Sequence, residues 1–562
     1  MKHMRKLASL LLALVMVFAL ATTAFAADGT ESENPSGTSS ETPSETPSGT
    51  PTDTPSTTTT YTLTITDTKS GHTYNVYQIF TGDISGTPHH YVLSNVKYGQ
   101  NYGEGVTVGS PVPDSVITAI SSADTFAQNY KAHGDVFKTV DSDDGNTQIS
   151  GLPAGYYLVK DSKTVTGQDA ATKYILQVVG DTSIKVKSSV PTVEKKVKEN
   201  DKTVTDNTDT RIPSYTLDTG YNDVADYNMG DKVPFQLIGT LPADLADYDT
   251  YKYYFIDTLS SGLKYNGDAV VSIMNGNVKT PVPAGTFAIE YSGTSLTIKC
   301  EDVTAIDVNG VKVTKDSYIV VDYTATLTTG AVVGLPGNPN EVYLEFSNNP
   351  NKGGEGDMGE TPKDKVIVFT YELDVTKIDG ADKDKDAAEQ TKLANAEFKL
   401  QNSANKWAVV GTDNKVTGWV ENENDATVLK TGDNGLIKII GLDDGTYTLK
   451  ETKAPAGYNL PAQGFTVEIK AATANNQTWN DFAPDKALTN LVVKVDNVEG
   501  TANNNATENK HGIASITIQN NKGATLPETG GIGTTIFYVL GSALVIGAAV
   551  LLVTKKRMSA EV

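Results

Sequence analysis

The sequence is nearly without the residues from which most catalytic and metal sites are built. It has one cysteine, Cys300, and six histidines among 562 residues. No disulfide can close within one chain, and little is left for zinc or thiol chemistry. Cys300 ends the strand-like run 296–300 and reads as a small buried residue rather than a nucleophile. An excess of positive charge is also missing. With 46 basic and 68 acidic side chains the net charge is −22, which argues against nucleic-acid binding. It suits a surface protein that repels its own copies until they are joined. Residues 27–60 contain no aromatic side chain, and long apolar runs occur only at the two ends of the chain. Neither a cofactor, a metal nor a turnover enzyme is expected.

The two apolar ends have different characters. Lys2, Arg5 and Lys6 precede the apolar run 7–20, and Ala24-Phe25-Ala26 supplies the small residues of a signal-peptide cleavage site. Residues 1–26 are therefore expected to be removed. At the other end, Leu526-Pro527-Glu528-Thr529-Gly530 precedes an uncharged apolar stretch over 532–554 and the basic group Lys555, Lys556 and Arg557. About 20 apolar residues suffice to span a bilayer as a helix, and the basic tail should stay in the cytoplasm. Pentapeptide, span and tail, in this order, resemble the sorting signal that sortases cleave in Gram-positive surface proteins. The resemblance implies cleavage between Thr529 and Gly530. Pro527 gives the extended, kinked backbone that an enzyme groove can hold. A secreted chain with no disulfide must gain its durability by other means.

Between these ends lie a linker and three β-rich regions. Residues 27–60, with repeated Thr-Pro-Ser units, cannot bury enough apolar surface to fold. From Tyr61 the pattern alternates with period two, as at 61–65, 74–80 and 155–159, between Gly, Asp and Asn turns. This predicts an all-β chain of tandem immunoglobulin-like, collagen-adhesin-type β-sandwiches. A helical insertion is expected near 113–132. The expected domains are 61–188, 189–368 and 369–522, followed by the sorting region 523–562. The run 366–375 crosses the last boundary either as one strand or as two with a break near Tyr371.

Within the strands, several polar side chains fall on the apolar face. In Leu373-Asp374-Val375-Thr376-Lys377, alternation puts Lys377 with Leu373 and Val375. It puts Glu451 with Tyr447 and Leu449, and Asn520 with Ile516 and Ile518. A buried amine loses its proton more easily and becomes a nucleophile. A buried carboxyl favours its protonated form, which could donate to the carboxamide oxygen. The amine could then displace ammonia from Asn520 and weld the first strand to the last. Fixed proximity can supply on the order of 7–11 kcal/mol of such a barrier. An ordinary buried ion pair is the competing reading. The middle region repeats the pattern with Lys195 beside Val193 and Val197, Asp257 on an aromatic face, and Asn348 after Phe346. Lys196 and Asn349 are the alternatives.

Glu451-Thr452-Lys453-Ala454-Pro455-Ala456-Gly457-Tyr458 resembles the E-box of Gram-positive pilins. Residues 374–379 are similar to the opening strand of collagen-adhesin B-type domains, and 257–263 resemble the aspartate segment of the pilin middle domain. These resemblances imply a cell-wall-anchored backbone (major) pilin. They also imply isopeptide bonds Lys377–Asn520, assisted by Glu451, and Lys195–Asn348, assisted by Asp257. Asn521 is the alternative acceptor in the third domain. The segment 152–159 echoes the tail of the E-box without its glutamate, so no bond is expected in the first domain. In such pilins a sortase joins the threonine of one subunit to a lysine of the next. Lys187 occupies that place here, with Lys185 second. The expected partners are a pilus sortase, a housekeeping sortase, further copies of the chain and peptidoglycan, with minor pilins and surface ligands beyond them. The alternative is a monomeric cell-wall-anchored adhesin or minor pilin.

Overall fold

In the computed structural model, residues 59–558 are described apart from 88–89, 121–125, 128–129, 131–132, 165, 174, 187, 201–206, 355, 475–476, 478–483, 503–511 and 524–531. The expected signal peptide, residues 27–58 of the expected linker, Lys187 and the pentapeptide 526–530 lie outside the described residues, and Thr60 of that linker already belongs to the first strand.

Period-two alternation becomes strands, as expected, and the strands stack in three successive groups. The first contains β1 (Thr60–Thr68), β2 (Thr73–Ser85), β3 (Gly145–Pro153), β4 (Gly155–Asp161) and β5 (Thr182–Lys185). β1 is the middle of a three-stranded sheet, antiparallel to β3 and parallel to β5. β2 and β4 pair within a five-stranded sheet. The inward residues Leu63, Ile65, Val76, Tyr157 and Val159 make the core between them. Of the expected helical insertion near 113–132, the described residues show a helix over Asp114–Ala119 and helical backbone at 126–127, while much of the remainder lies outside the described residues.

The second group is a sandwich of two seven-stranded sheets. One holds β6 (Val193–Lys198), β7 (Lys232–Gly239) and, after them, the long strand β9 (Tyr318–Leu327). The other holds β8 (Tyr253–Leu259), β10 (Asn338–Ser347) and β11 (Asp364–Phe369). Aromatic and β-branched side chains such as Phe235, Phe255, Val321 and Phe346 fill the space between the sheets. The third group pairs a four-stranded with an eight-stranded sheet. The smaller sheet carries β12 (Tyr371–Asp379), β13 (Leu436–Leu442) and β15 (Ile513–Asn520), and β14 (Gly445–Lys453) lies in the larger one. β12 and β15, the first and last strands of this group, run parallel and adjacent.

The run 366–375 is two strands, interrupted at Thr370, and each enters a different sandwich. Thr370 is fully buried, and its hydroxyl donates to the Leu442 carbonyl at 3.1 Å. Further bonds hold this junction. Tyr371 OH donates to Asp226 at 2.8 Å, and the Asp443 amide donates to Asn228 at 3.1 Å. The junction between first and second groups uses the Ala171 amide on the Asn348 carbonyl at 2.8 Å and the pair Lys173–Asp247 at 2.9 Å. The C-terminal helix Ile532–Met558 closes the chain, and its segment Ile536–Met558 is apolar and long enough to cross a membrane.

Candidate functional site: two buried amine–carboxyl–carboxamide clusters

In the third sandwich, alternation along β12 sends Lys377 inward with Leu373 and Val375, and all three are fully buried. Opposite Lys377 on the parallel neighbour β15 stands Ile518, and two residues further on Asn520 pairs with Asp379. The carboxamide therefore reaches back over the amine from the next strand of the same sheet. Glu451 comes from β14 in the facing sheet and is 5% exposed. Lys377 Nζ donates to Glu451 Oε2 at 2.9 Å and also to Asn520 Oδ1. Asn520 Nδ2 donates to Glu451 Oε1 at 2.7 Å. One carboxyl thus bridges amine and amide. It meets the nitrogen of the carboxamide, whereas the sequence reading put it at the oxygen. Rings of Phe398 and Phe465 lie 5.4 and 5.3 Å from Nζ and keep water out. Burial holds the amine below the usual lysine range, against the opposing hydrogen bond and charge of Glu451.

The rest of the E-box has a mechanical place as well. Gly457 adopts φ of +87°, a left-handed turn that a side chain would strain. The turn lets the Gly457 carbonyl accept from the Gly523 amide at 3.0 Å, while the Asn459 amide donates to the Asn521 carbonyl, also at 3.0 Å. Tyr458 OH donates to Asp379 at 2.9 Å. The loop thus clamps the chain just beyond Asn520. Asn521, the alternative acceptor, is exposed.

The second cluster has a different geometry. Lys195 on β6 belongs to one sheet, and Asp257 on β8 to the other, so their contact crosses the sandwich. Both are fully buried. Lys195 Nζ donates to Asp257 Oδ2 and, at 3.0 Å, to Tyr323 OH. Tyr323 OH donates to Asp257 Oδ2 at 2.9 Å. Burial lowers the Lys195 amine and raises the Asp257 carboxyl, the charge of each partner opposing both shifts. The alternative Lys196 faces the other way. It is buried against Asp209 and, at 2.6 Å, Asp223.

Asn348 is not brought to this cluster. It follows the end of β10, where its backbone carbonyl accepts from Ala171. The alternative Asn349 caps the short turn Pro350–Lys352, its side chain accepting from the Asn351 amide at 3.1 Å. The carboxamide at the cluster is that of Asn340, fully buried, whose Nδ2 donates to Tyr323 OH at 2.7 Å. Residues 338, 340, 342, 344 and 346 share one face of β10, and Asn348 continues the same parity just past its end, so alternation alone does not single out Asn340. Parity alone does not say which of them lies level with Asp257.

Lys185 ends β5, is exposed, and pairs with Asp67 at 2.8 Å. Among the described residues, one group of carboxylates brings possible metal-ligand oxygens within 4.8 Å of one another, namely Asp226, Asp443 and Asp444. Protein donors engage each of them: Tyr371 on Asp226, Asn200 on Asp443 at 2.9 Å and the Ala471 amide on Asp444 at 3.1 Å. They belong to the polar junction between the second and third sandwiches.

Comparison with known proteins places the chain as a whole. The SpaA family model, a prealbumin-like fold domain, matches residues 381–483, and the LPXTG cell wall anchor motif matches 518–559. The chain is 24% identical over 560 residues to the trypsin-resistant surface T6 protein of Streptococcus pyogenes serotype M6, covering 88% of this chain and 94% of that one. Among solved structures, the T6 backbone pilin of serotype M6 Streptococcus pyogenes is 19% identical, with 83% and 99% coverage and a TM-score of 0.47. The major pilin SpaD of Corynebacterium diphtheriae is 17% identical, with 83% and 98% coverage and a TM-score of 0.44. With its SpaA-type domain, its LPXTG motif and a sequence likeness that runs nearly from end to end, the chain is a cell-wall-anchored surface protein of the Gram-positive backbone-pilin type.

Proposed function

We propose that this chain is the subunit of a covalently joined pilus shaft, and that its sandwiches are welded internally by lysine–asparagine isopeptide bonds. The carrying observation is Lys377, fully buried with its amine on both the carboxyl of Glu451 and the carboxamide of Asn520. Nothing in such a pocket turns over an outside substrate, because the pocket is closed and all reactants belong to the chain. The neutral amine attacks Cγ of Asn520. Glu451 takes the amine proton and delivers a proton to Nδ2, and ammonia leaves. The carboxyl ends as it began, so each molecule reacts once.

The two proposed bonds bear load differently. Lys377–Asn520 joins neighbouring parallel strands at the start and end of the third sandwich. Pull applied at its two ends then passes through one amide instead of peeling β ladders. The bond at Lys195 staples one sheet of the middle sandwich to the other. The proposed domains 61–188, 189–368 and 369–522 follow the three groups of strands.

Assembly uses the ends. The signal peptide 1–26 exports the chain, and the helix after residue 531 holds it in the membrane. A pilus sortase cleaves between Thr529 and Gly530 and transfers the threonine carbonyl to Lys187 of the next copy. A housekeeping sortase ends growth by transfer to peptidoglycan. Lys185 is the second candidate acceptor. A denaturing gel of cell-wall extract tests this reading. It should show a high-mass ladder in the native strain that collapses to a single wall-linked band in Lys187→Ala. A single band in the native strain would instead mark a monomeric adhesin.

A further inference from the structure

The two clusters differ by one methylene in the carboxyl, and the structure makes up the difference with a hydroxyl. In the third sandwich Glu451 touches both the attacking nitrogen, at 2.9 Å, and the departing one, at 2.7 Å. In the middle sandwich Asp257 is shorter. Its Oδ2 meets Lys195 and Tyr323, its Oδ1 has no hydrogen-bond partner, and it makes no bond to a carboxamide. Tyr323 OH stands between, accepting from Lys195 Nζ at 3.0 Å and from Asn340 Nδ2 at 2.7 Å while donating to Asp257 at 2.9 Å.

The strand register makes Asn340 the reachable carboxamide. Asp257 pairs with Val342, and Asn340 pairs with Leu259, the next inward position on β8. Asn348 lies eight residues further along the chain, roughly 26 Å away at the rise of an extended strand. A lysine side chain does not span that distance. The Asn340 oxygen, fully buried, accepts no hydrogen bond. A buried acceptor left without a partner is costly, which fits a reactant held in place rather than a resting core residue.

We propose that the middle cross-link joins Lys195 to Asn340, and that Tyr323 is its positioning residue, relaying a proton from Asp257 to the leaving nitrogen. This rests on the isopeptide reading above. In the step, the bond from Lys195 Nζ to Asn340 Cγ forms and the bond from Cγ to Nδ2 breaks. The amine proton passes to Asp257, and Tyr323 hands a proton to Nδ2, which leaves as ammonia. Atoms and charge balance without a cofactor.

The test is proteolysis and mass spectrometry of the full-length chain, with intact masses of variants. Wild type should give a branched peptide linking Lys195 to Asn340. Asn340→Ala should retain one ammonia that wild type loses, and Asn348→Ala should lose both. Asn340→Asp keeps the side-chain shape and should lose one water in place of one ammonia, which identifies the acceptor without risk to folding. In Tyr323→Phe the Lys195 bond should form at least about tenfold more slowly after refolding, as expected for loss of a proton relay. The Lys377–Asn520 bond in the same molecules should keep its wild-type rate. A Lys195–Asn348 peptide, or a Tyr323→Phe rate equal to wild type, would overturn the proposal while leaving the cross-link reading intact. Absence of any branched peptide at Lys195 would instead overturn that reading for this sandwich.

Discussion

Replacing Asn520 by alanine isolates the value of the third-sandwich bond. The substitution removes the acceptor but leaves Lys377 and Glu451 as a pair 2.9 Å apart, so neither is stranded in the core. Lys377 and Asn520 are 143 residues apart in sequence. A cross-link closing a loop of this length removes unfolded-state entropy worth about 5 kcal/mol, on the relation derived for disulfides. For a domain of this size that corresponds to a fall in melting temperature of roughly 10–20 °C. Calorimetry of the full-length chain should therefore show one transition lowered by that amount, with the transition of the middle sandwich unmoved. Protease resistance of the third sandwich should fall in parallel. If Asn520→Ala melts with wild type, or if its intact mass shows the same loss as wild type, the argument from Lys377 to a load-bearing amide is wrong.

Other perturbations follow from the same geometry. Burial holds the Lys377 and Lys195 amines below their usual range, and only the neutral amine attacks. Bond formation on refolding should therefore speed up as pH rises, and do so at lower pH than for an exposed lysine, read as the rate of ammonia loss. Glu451→Gln keeps the shape of the site but cannot shuttle the proton, so the chain should fold and keep the ammonia of Asn520, seen by intact mass. In the first sandwich, burial alone would lower the His72 imidazolium, but hydrogen bonds to Asp161 at 2.6 Å and Asp169 at 3.0 Å raise it to about 9. Because that value exceeds the unfolded one of about 6.5, the stabilisation is whole below pH 6.5 and is lost as pH rises through about 9. His72→Gln should lower the first transition at about pH 6 and flatten its decline above neutrality.

The third cluster was legible in the sequence because Lys377, Glu451 and Asn520 each sit in an uninterrupted strand, where parity decides the face. The middle cluster was legible only by half. Lys195 and Asp257 obey the same rule, but β10 offers five inward positions from Asn338 to Phe346, with Asn348 just past its end, and register across strands is not written in any one strand. Tyr323 was hidden for another reason: on a core face it looks like one more packed ring, and only its hydroxyl contacts distinguish it. Lys196, the alternative to Lys195, is equally buried but on the other face, where Asp209 and Asp223 meet it. The break at Thr370 depends on a bond to Leu442 that local pattern does not contain.

The most direct measurement is the intact mass of the denatured extracellular chain after sortase release. Two buried amines fused to two carboxamides require it to weigh two ammonias less than its sequence, with Lys195 and Lys377 each found in a branched peptide. A mass equal to the unmodified sequence would mean that both lysines are ordinary buried ion pairs, and the covalent account of this pilin's strength would fall.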